Sequence, residues 1–196
     1  MRLLRIPPEQ QRVVPWKNGG GVTREVALDP LGEGFRWRVS LATIGRDGPF
    51  SAFPGVDRVL WLVRGTGLVL FVEGREVRPE RLEPVAFPGE ARVEGRLLAG
   101  PTEDLNLMID RALVRASPRL LLLRAQEAWG GEVARAGQAL LLALEGEARV
   151  RPPGAGFQRL GPGEALRLDD GPPGRRWALV AGREPLAALL VSFSPA

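Results

Sequence analysis

The chain has 196 residues, 44% of them apolar, and carries 27 Lys plus Arg against 23 Asp plus Glu. That is enough chain to bury a core without disulfides. Cysteine, histidine and tyrosine are absent, which excludes disulfides, thiolate chemistry, histidine metal ligands and a histidine base near neutral pH.

The N-terminal stretch MRLLRIPPEQQ has an apolar run too short for a signal peptide, and Pro7 and Pro8 interrupt it. No segment approaches the roughly 18 apolar residues of a membrane span, so a cytoplasmic location is the expectation. Arginine in place of lysine, 18 prolines and only two asparagines suggest a GC-rich, thermophilic source. Acidic residues alternate with arginines throughout, leaving no basic run that would mark a nucleic-acid surface.

WKNGGGVTRE (16–25) holds the only lysine, Lys17, and one of the two asparagines, Asn18. Surface cations here are otherwise arginine, so a position that keeps lysine points to a need for a compact point charge rather than a planar fork. Lys17 is either a solvated surface residue or a pocket cation that meets an anionic oxygen, Glu25 or Asp104. Gly19, Gly20 and Gly21 read as a tight turn, or as backbone that approaches a ligand closely. No Gly-Lys-Ser/Thr sequence follows, so this is not a phosphate-binding P-loop. Thr23 and Glu25 share one strand face, with Arg24 on the other.

FRWRVSLATI (35–44) alternates, placing Phe35, Trp37, Val39 and Leu41 on one face and Arg36, Arg38, Ser40 and Ala42 on the other. Phe50 and Ser51 sit in a Gly/Pro-rich loop, where binding residues concentrate. VLWLVRGTGLVLFVEG (59–74) reads as two strands broken at residues 64–67, and Arg58 stands just before it beside Asp57. DLNLMID (104–110) puts Asp104, Asn106 and Met108 on one face and Leu105, Leu107 and Ile109 on the other. A helix is an open reading for residues near 120–129, ended by Gly130 and Gly131.

LEPVAFPGEARVEG (82–95) and QRLGPGEALRLDDG (158–171) form a faint repeat. Each is preceded by a strand pair with a glycine turn, LVLFVEGREV (68–77) and LLLALEGEARV (140–150). Short apolar runs punctuated by 25 glycines and 18 prolines predict an all-β protein built as two tandem modules. The boundary falls near 115–118, giving modules 1–115 and 116–196.

The repeated strand pairs resemble a duplicated double-stranded β-helix, a bicupin. WKNGGGVTREV (16–26), FRWRVSLATIGRDGPFSAFPGVDRVLWLVRG (35–65) and GPTEDLNLMIDR (100–111) together resemble the HutD/Ves family of bicupins. The specific motifs lie in residues 15–111, while the second half matches in general pattern only. The resemblance implies two jelly-roll-like barrels in one unit, the first with a small-ligand pocket. It also implies a metabolite of histidine utilisation, such as N-formylglutamate or formiminoglutamate, sensed rather than converted, or alternatively a role in stress response. Most cupins hold a metal with histidines, which this chain lacks, and no cofactor or metal is expected.

On this reading the ligand-binding candidates are the cations Lys17, Arg24, Arg38 and Arg58 and the neutral groups Asn18, Thr23, Ser40, Ser51 and Asn106. Glu25, Asp104 and Phe50 complete the set. A buried arginine needs a partner, and Glu25, Asp104 or a ligand carboxylate would serve Arg38. Arg58 is either one half of an ion pair or a carboxylate clamp. The alternative to a binding protein is a metal-free enzyme with Glu25, Asp104 or Lys17 as base, so catalysis stays open. The expected partner is a small carboxylate-bearing metabolite, not nucleic acid or membrane. A homodimer through sheet edges is left open by the sequence.

Overall fold

The computed structural model describes residues 2–16, 19–132, 137–169 and 176–196. They divide into two units, residues 11–114 and residues 2–10 with 115–196. The chain opens with β1 (Arg2–Ile6) and a 3-10 turn (Pro8–Gln10).

The 11–114 unit contains β2 (Arg12–Pro15), β3 (Gly21–Leu31), β4 (Gly34–Ile44), β5 (Gly48–Pro49) and β6 (Val56–Gly65). It continues with β7 (Leu68–Val72), β8 (Arg75–Val77), β9 (Pro84–Pro88), β10 (Val93–Leu97) and β11 (Thr102–Asp110). A larger sheet runs β2-β3-β4-β11-β6-β9 and a smaller one β5-β10-β7-β8. Ile44, Leu60 and Phe87 from the larger sheet pack against Leu68, Leu70 and Val93 from the smaller. Each such fully buried apolar side chain contributes roughly 1.5–3 kcal/mol. The interior is therefore dry at this end and polar at the other, where β3, β4, β6 and β11 carry the charged residues described below.

The second unit contains β12 (Val114–Leu123), β13 (Ala128–Glu132), β14 (Gln138–Glu145) and β15 (Ala148–Arg151). It ends with β16 (Gln158–Leu160), β17 (Ala165–Asp169), β18 (Arg176–Ala181) and β19 (Leu186–Pro195). Its sheets run β1-β17-β14-β19-β12 and β13-β18-β15-β16. Leu141, Leu166, Leu190, Val150, Leu160, Leu179 and Trp177 fill its core. Residues 120–129 are strand, turn and strand rather than helix. The leucine run Leu120–Leu123 alternates in burial as a strand does.

Residues 2–10 depart from the sequence-based division. Strand β1 pairs along its whole length with β17, Arg2 opposite Asp169 through Ile6 opposite Ala165, and Leu3 packs on the second core. Strand pairing is non-local, so adjacency in the chain is a poor guide to it.

The duplication is present, but its register is one strand off from the sequence repeat. The order β4-β11-β6-β9 of the first unit reappears as β12-β19-β14-β17, and β5-β10-β7-β8 as β13-β18-β15-β16. The Pro88–Ala91 turn follows β9, whereas the Pro162–Ala165 turn leads into β17, the counterpart of β9. The true counterparts are Gly65, the last residue of β6, and Gly146, the residue after the equivalent strand β14. Both have positive φ, +105 and +72, and in both a Cβ would meet a carbonyl of the equivalent prolines Pro101 and Pro185. Gly146→Ala is therefore expected to lower stability by about 2–4 kcal/mol in a urea melt. Gly137→Ala, with nothing within 4 Å of the added methyl, should be close to neutral.

No helix among the described residues is long and apolar enough to cross a membrane.

Candidate functional site

Four adjacent strands build a cavity of about 970 Å³ in the 11–114 unit, a size suited to a small metabolite. Its polar wall follows from strand register. Met108 on β11 lies opposite Arg38 on β4 and Arg58 on β6. One step along the same face, Asn106 lies opposite Ser40, and the next step sets Asp104 opposite Ala42. Glu25 on β3 pairs with Ser40 and Thr23 with Ala42. All of these residues line the cavity, together with Phe50, Ser51 and Phe53 from the loop after β5.

Two register shifts tune which residues face inward. Between Glu25 and Ala27 the β3 strand bulges, and between Asp29 and Pro30 the β4 strand does. A bulge reverses the alternation, so Leu28 and Phe35 both line the cavity. The alternating pattern alone put Phe35 with Trp37 on the opposite face. Trp37 does lie fully buried, away from the cavity.

Arg58 is 6% exposed and Asp104 is fully buried. The Arg58 Nη2 donates to Asn106 Oδ1 at 2.7 Å, and Asn106 Nδ2 donates to Asp104 Oδ1 at 2.8 Å. Arg58 also lies over the rings of Phe87, Phe50 and Phe53, at 5.1, 5.4 and 5.8 Å. Arg38 lies over the rings of Phe35 and Phe53, at 5.0 and 5.4 Å, and its Nη2 reaches Met108 Sδ at 2.9 Å. These contacts hold both guanidinium planes without neutralising them. Among the described residues neither has a carboxylate within 4.0 Å, and the Nε of each makes no hydrogen bond.

Burial dominates the acid–base behaviour of the site. It lowers Arg58 to about 10, against the pull of Asp104 and helped by the repulsion of Arg38. It lowers Arg38 also, with Glu25 opposing. It raises Asp104 from 3.8 to about 7, although Arg58, the Asn106 hydrogen bond and the Ala42 amide favour the charged form. Asp104 Oδ2 has no hydrogen-bond partner of good geometry.

Lys17 and Asn18 lie outside the described residues. Next to them, Gly19 has φ +66 and its carbonyl accepts from Arg46 Nη2 at 2.9 Å. A Cβ on Gly21 would strike the Thr43 carbonyl and touch the Trp16 ring, so Gly21 is needed for close packing against the protein's own backbone and ring. Trp16 Nε1 in turn donates to Thr23 Oγ1 at 2.8 Å, which orients that hydroxyl at the cavity wall.

Arg24 departs from the expectation. It points away from the cavity, 3.7 Å from Glu103, which also meets Arg64 at 3.2 Å; its odd–even neighbours Thr23 and Glu25 take the inward positions. Glu25 stands at the rim, 3.7 Å from the exposed Arg12. The sequence reading missed Met108, Phe35 and Arg12 as cavity residues. Met108 was legible from the face it shares with Asp104 and Asn106, whereas Phe35 was hidden by the bulge.

The metal that most cupins carry does not fit here. Among the described residues no three Asp, Glu, His or Cys side chains are placed to hold one. Burial pushes the Asp104 carboxyl up to about 7, and it shares the cavity with the guanidiniums of Arg38 and Arg58, a setting that disfavours a hard cation.

A family model described as HutD matches residues 8–184. The chain belongs to the HutD family. A Pseudomonas putida relative, an uncharacterized 21.2 kDa protein in the hutC 3' region, is 38% identical over 164 residues, 80% of this chain and 81% of that one. HutD from Pseudomonas fluorescens SBW25, solved in a formate condition, superposes with a TM-score of 0.82 at 31% identity, covering 100% of both chains. A conserved protein of unknown function from Pseudomonas aeruginosa PAO1 gives 0.89 at 30% identity, over 99% of this chain and 100% of that one. The cupin 2 conserved barrel domain protein of Leptotrichia buccalis, at 13% identity and a TM-score of 0.58 over 88% of each chain, shares the fold. The all-β bicupin reading therefore holds for this HutD-family chain.

Proposed function

We propose that this chain is a metal-independent binding protein for a small carboxylate-bearing metabolite, and that it senses or regulates histidine utilisation. The observation that carries this reading is the pair of cavity guanidiniums, the buried Arg58 and the half-buried Arg38, set among phenylalanine rings with no carboxylate within 4.0 Å among the described residues. A buried cation without a counter-ion is costly, and an anionic guest in the cavity offsets that cost. The relation to histidine utilisation is supported by family membership and by the similarity to HutD. N-formylglutamate and formiminoglutamate are the ligands this reading favours, because each carries carboxylates for the arginines and a planar group for Ser40 and Asn106.

Two or three charge-assisted hydrogen bonds of roughly 1.5–3 kcal/mol each correspond to affinity in the micromolar range. Titration calorimetry with N-formyl-L-glutamate is expected to give saturable one-site binding and a higher melting temperature, without turnover. No heat and no stabilisation with either acid would overturn the reading.

One observation favours a second reading. A carboxyl group poised near neutrality inside a cavity suits general acid–base chemistry, so Asp104 is the residue a metal-free enzyme here would use. Turnover of N-formyl-L-glutamate that disappears in Asp104→Asn would establish it.

A further inference from the structure

We propose that Asp104 meets the ligand as a carboxylic acid, its Oδ2 donating a hydrogen bond to the anion, so that ligand and proton enter the cavity together. This rests on the cavity being a carboxylate site.

The chain of hydrogen bonds fixes the geometry. A guanidinium only donates, so the Asn106 amide must turn its oxygen to Arg58, as it does at 2.7 Å. The amide nitrogen then faces Asp104, and Oδ1 must accept from it, at 2.8 Å. Accepting there fills one of the two lone-pair positions of Oδ1, which leaves Oδ2 the less occupied oxygen. The proton of the neutral acid is therefore assigned to Oδ2, the oxygen without a hydrogen bond of good geometry. A fully buried hydroxyl donor needs an acceptor, and the cavity that Asp104 lines is where one can come from.

The charges around it agree. Arg58 on β6 faces Asp104, Arg38 on β4 and Glu25 on β3 share the cavity, and Glu103 precedes it on β11. An ionised Asp104 beside a bound carboxylate would set two anions against each other and share Arg58 between them. A protonated Asp104 leaves Arg58 to the ligand and adds a donor. Asp104 thus discriminates for an anionic acceptor and against an ammonium or amide N–H at that point, which an ionised aspartate would attract.

The probe is N-formyl-L-glutamate, whose carboxylates are ionised throughout the range used. With the free acid half-ionised near pH 7, affinity should be about tenfold weaker at pH 8 than at pH 6, following the fraction of competent protein. Calorimetry in Tris and in HEPES at the higher pH should show uptake of about one proton per ligand bound. Asp104→Asn, whose amide can donate from the Oδ2 position, should lose that proton uptake and bind about tenfold more tightly than the parent at the higher pH. Asp104→Leu, which has no donor, should bind more weakly than the parent at pH 6. Binding that is constant or tightens from pH 6 to pH 8, or no proton uptake, overturns the role of Asp104 while leaving the carboxylate site standing. Absence of binding at both pH values in the parent protein overturns the site and this inference with it.

Discussion

Arg58→Met is expected to weaken N-formyl-L-glutamate binding at least a hundredfold while the protein still folds. A hundredfold is about 2.7 kcal/mol, the loss of one or two charge-assisted hydrogen bonds to the ligand. The fold should survive because the guanidinium is a poor stabiliser where it sits. It is buried, its Nε is unpaired, and no carboxylate partner within 4.0 Å appears among the described residues. Methionine fills similar volume between Phe50, Phe53 and Phe87 without that desolvation cost. What the variant leaves behind is Asn106 Oδ1 without its donor, a cost of about 1–3 kcal/mol that partly offsets the gain. Arg58→Lys separates charge from geometry. It keeps a cation but not the flat fork that stacks on the rings, and should lie between methionine and the parent in affinity. Equal affinity of all three proteins would remove Arg58 from the binding site.

The second large effect concerns stability and pH. Asp104 keeps its proton in the folded chain up to about pH 7, while the unfolded chain releases it near the ordinary value of 3.8. Between those values the folded state binds more protons than the unfolded one, so stability from this group falls as pH rises through the window and is flat above it. Asp104→Asn imitates the neutral acid at every pH. It should therefore be more stable than the parent at pH 8 by roughly 2–4 kcal/mol, and the difference should shrink towards zero near pH 4. Urea melts at the two pH values measure it. An Asp104→Asn protein that is less stable than the parent at the higher pH would mean that the carboxylate is ionised and held by Arg58 in the folded state.

How legible was this in the chain? The inward rows were readable wherever alternation is strict. Asp104, Asn106 and Met108 on one face, Thr23 with Glu25, and Arg38 with Ser40 all follow from a period of two. Arg24 shows the limit of counting cations near a motif, since it is one residue out of phase and turns to Glu103. Phe35 was lost because a bulge is invisible to a strict alternation template. The duplication was legible as a pattern of Pro-Gly turns, yet those turns are cheap and recur at non-equivalent strand ends, so the alignment slipped by one strand. Gly65 and Gly146 mark the correct register, but only contact with Pro101 and Pro185 reveals it. The pairing of β1 with β17 had no local signal at all, because strand partners 159 to 167 residues apart leave no trace in periodicity. The perturbed Asp104 follows from burial, for which the chain offers only the apolar run that begins at Leu105, and from a hydrogen-bond direction that only the fold supplies.

The crystal structure of the protein grown with N-formyl-L-glutamate would bear most directly on the cavity as an anion site. A ligand carboxylate about 3 Å from the Arg58 and Arg38 guanidinium nitrogens, with one oxygen against Asp104 Oδ2, is the predicted result. A ligand bound outside the 11–114 unit, or an unoccupied cavity at saturating concentration, would contradict it.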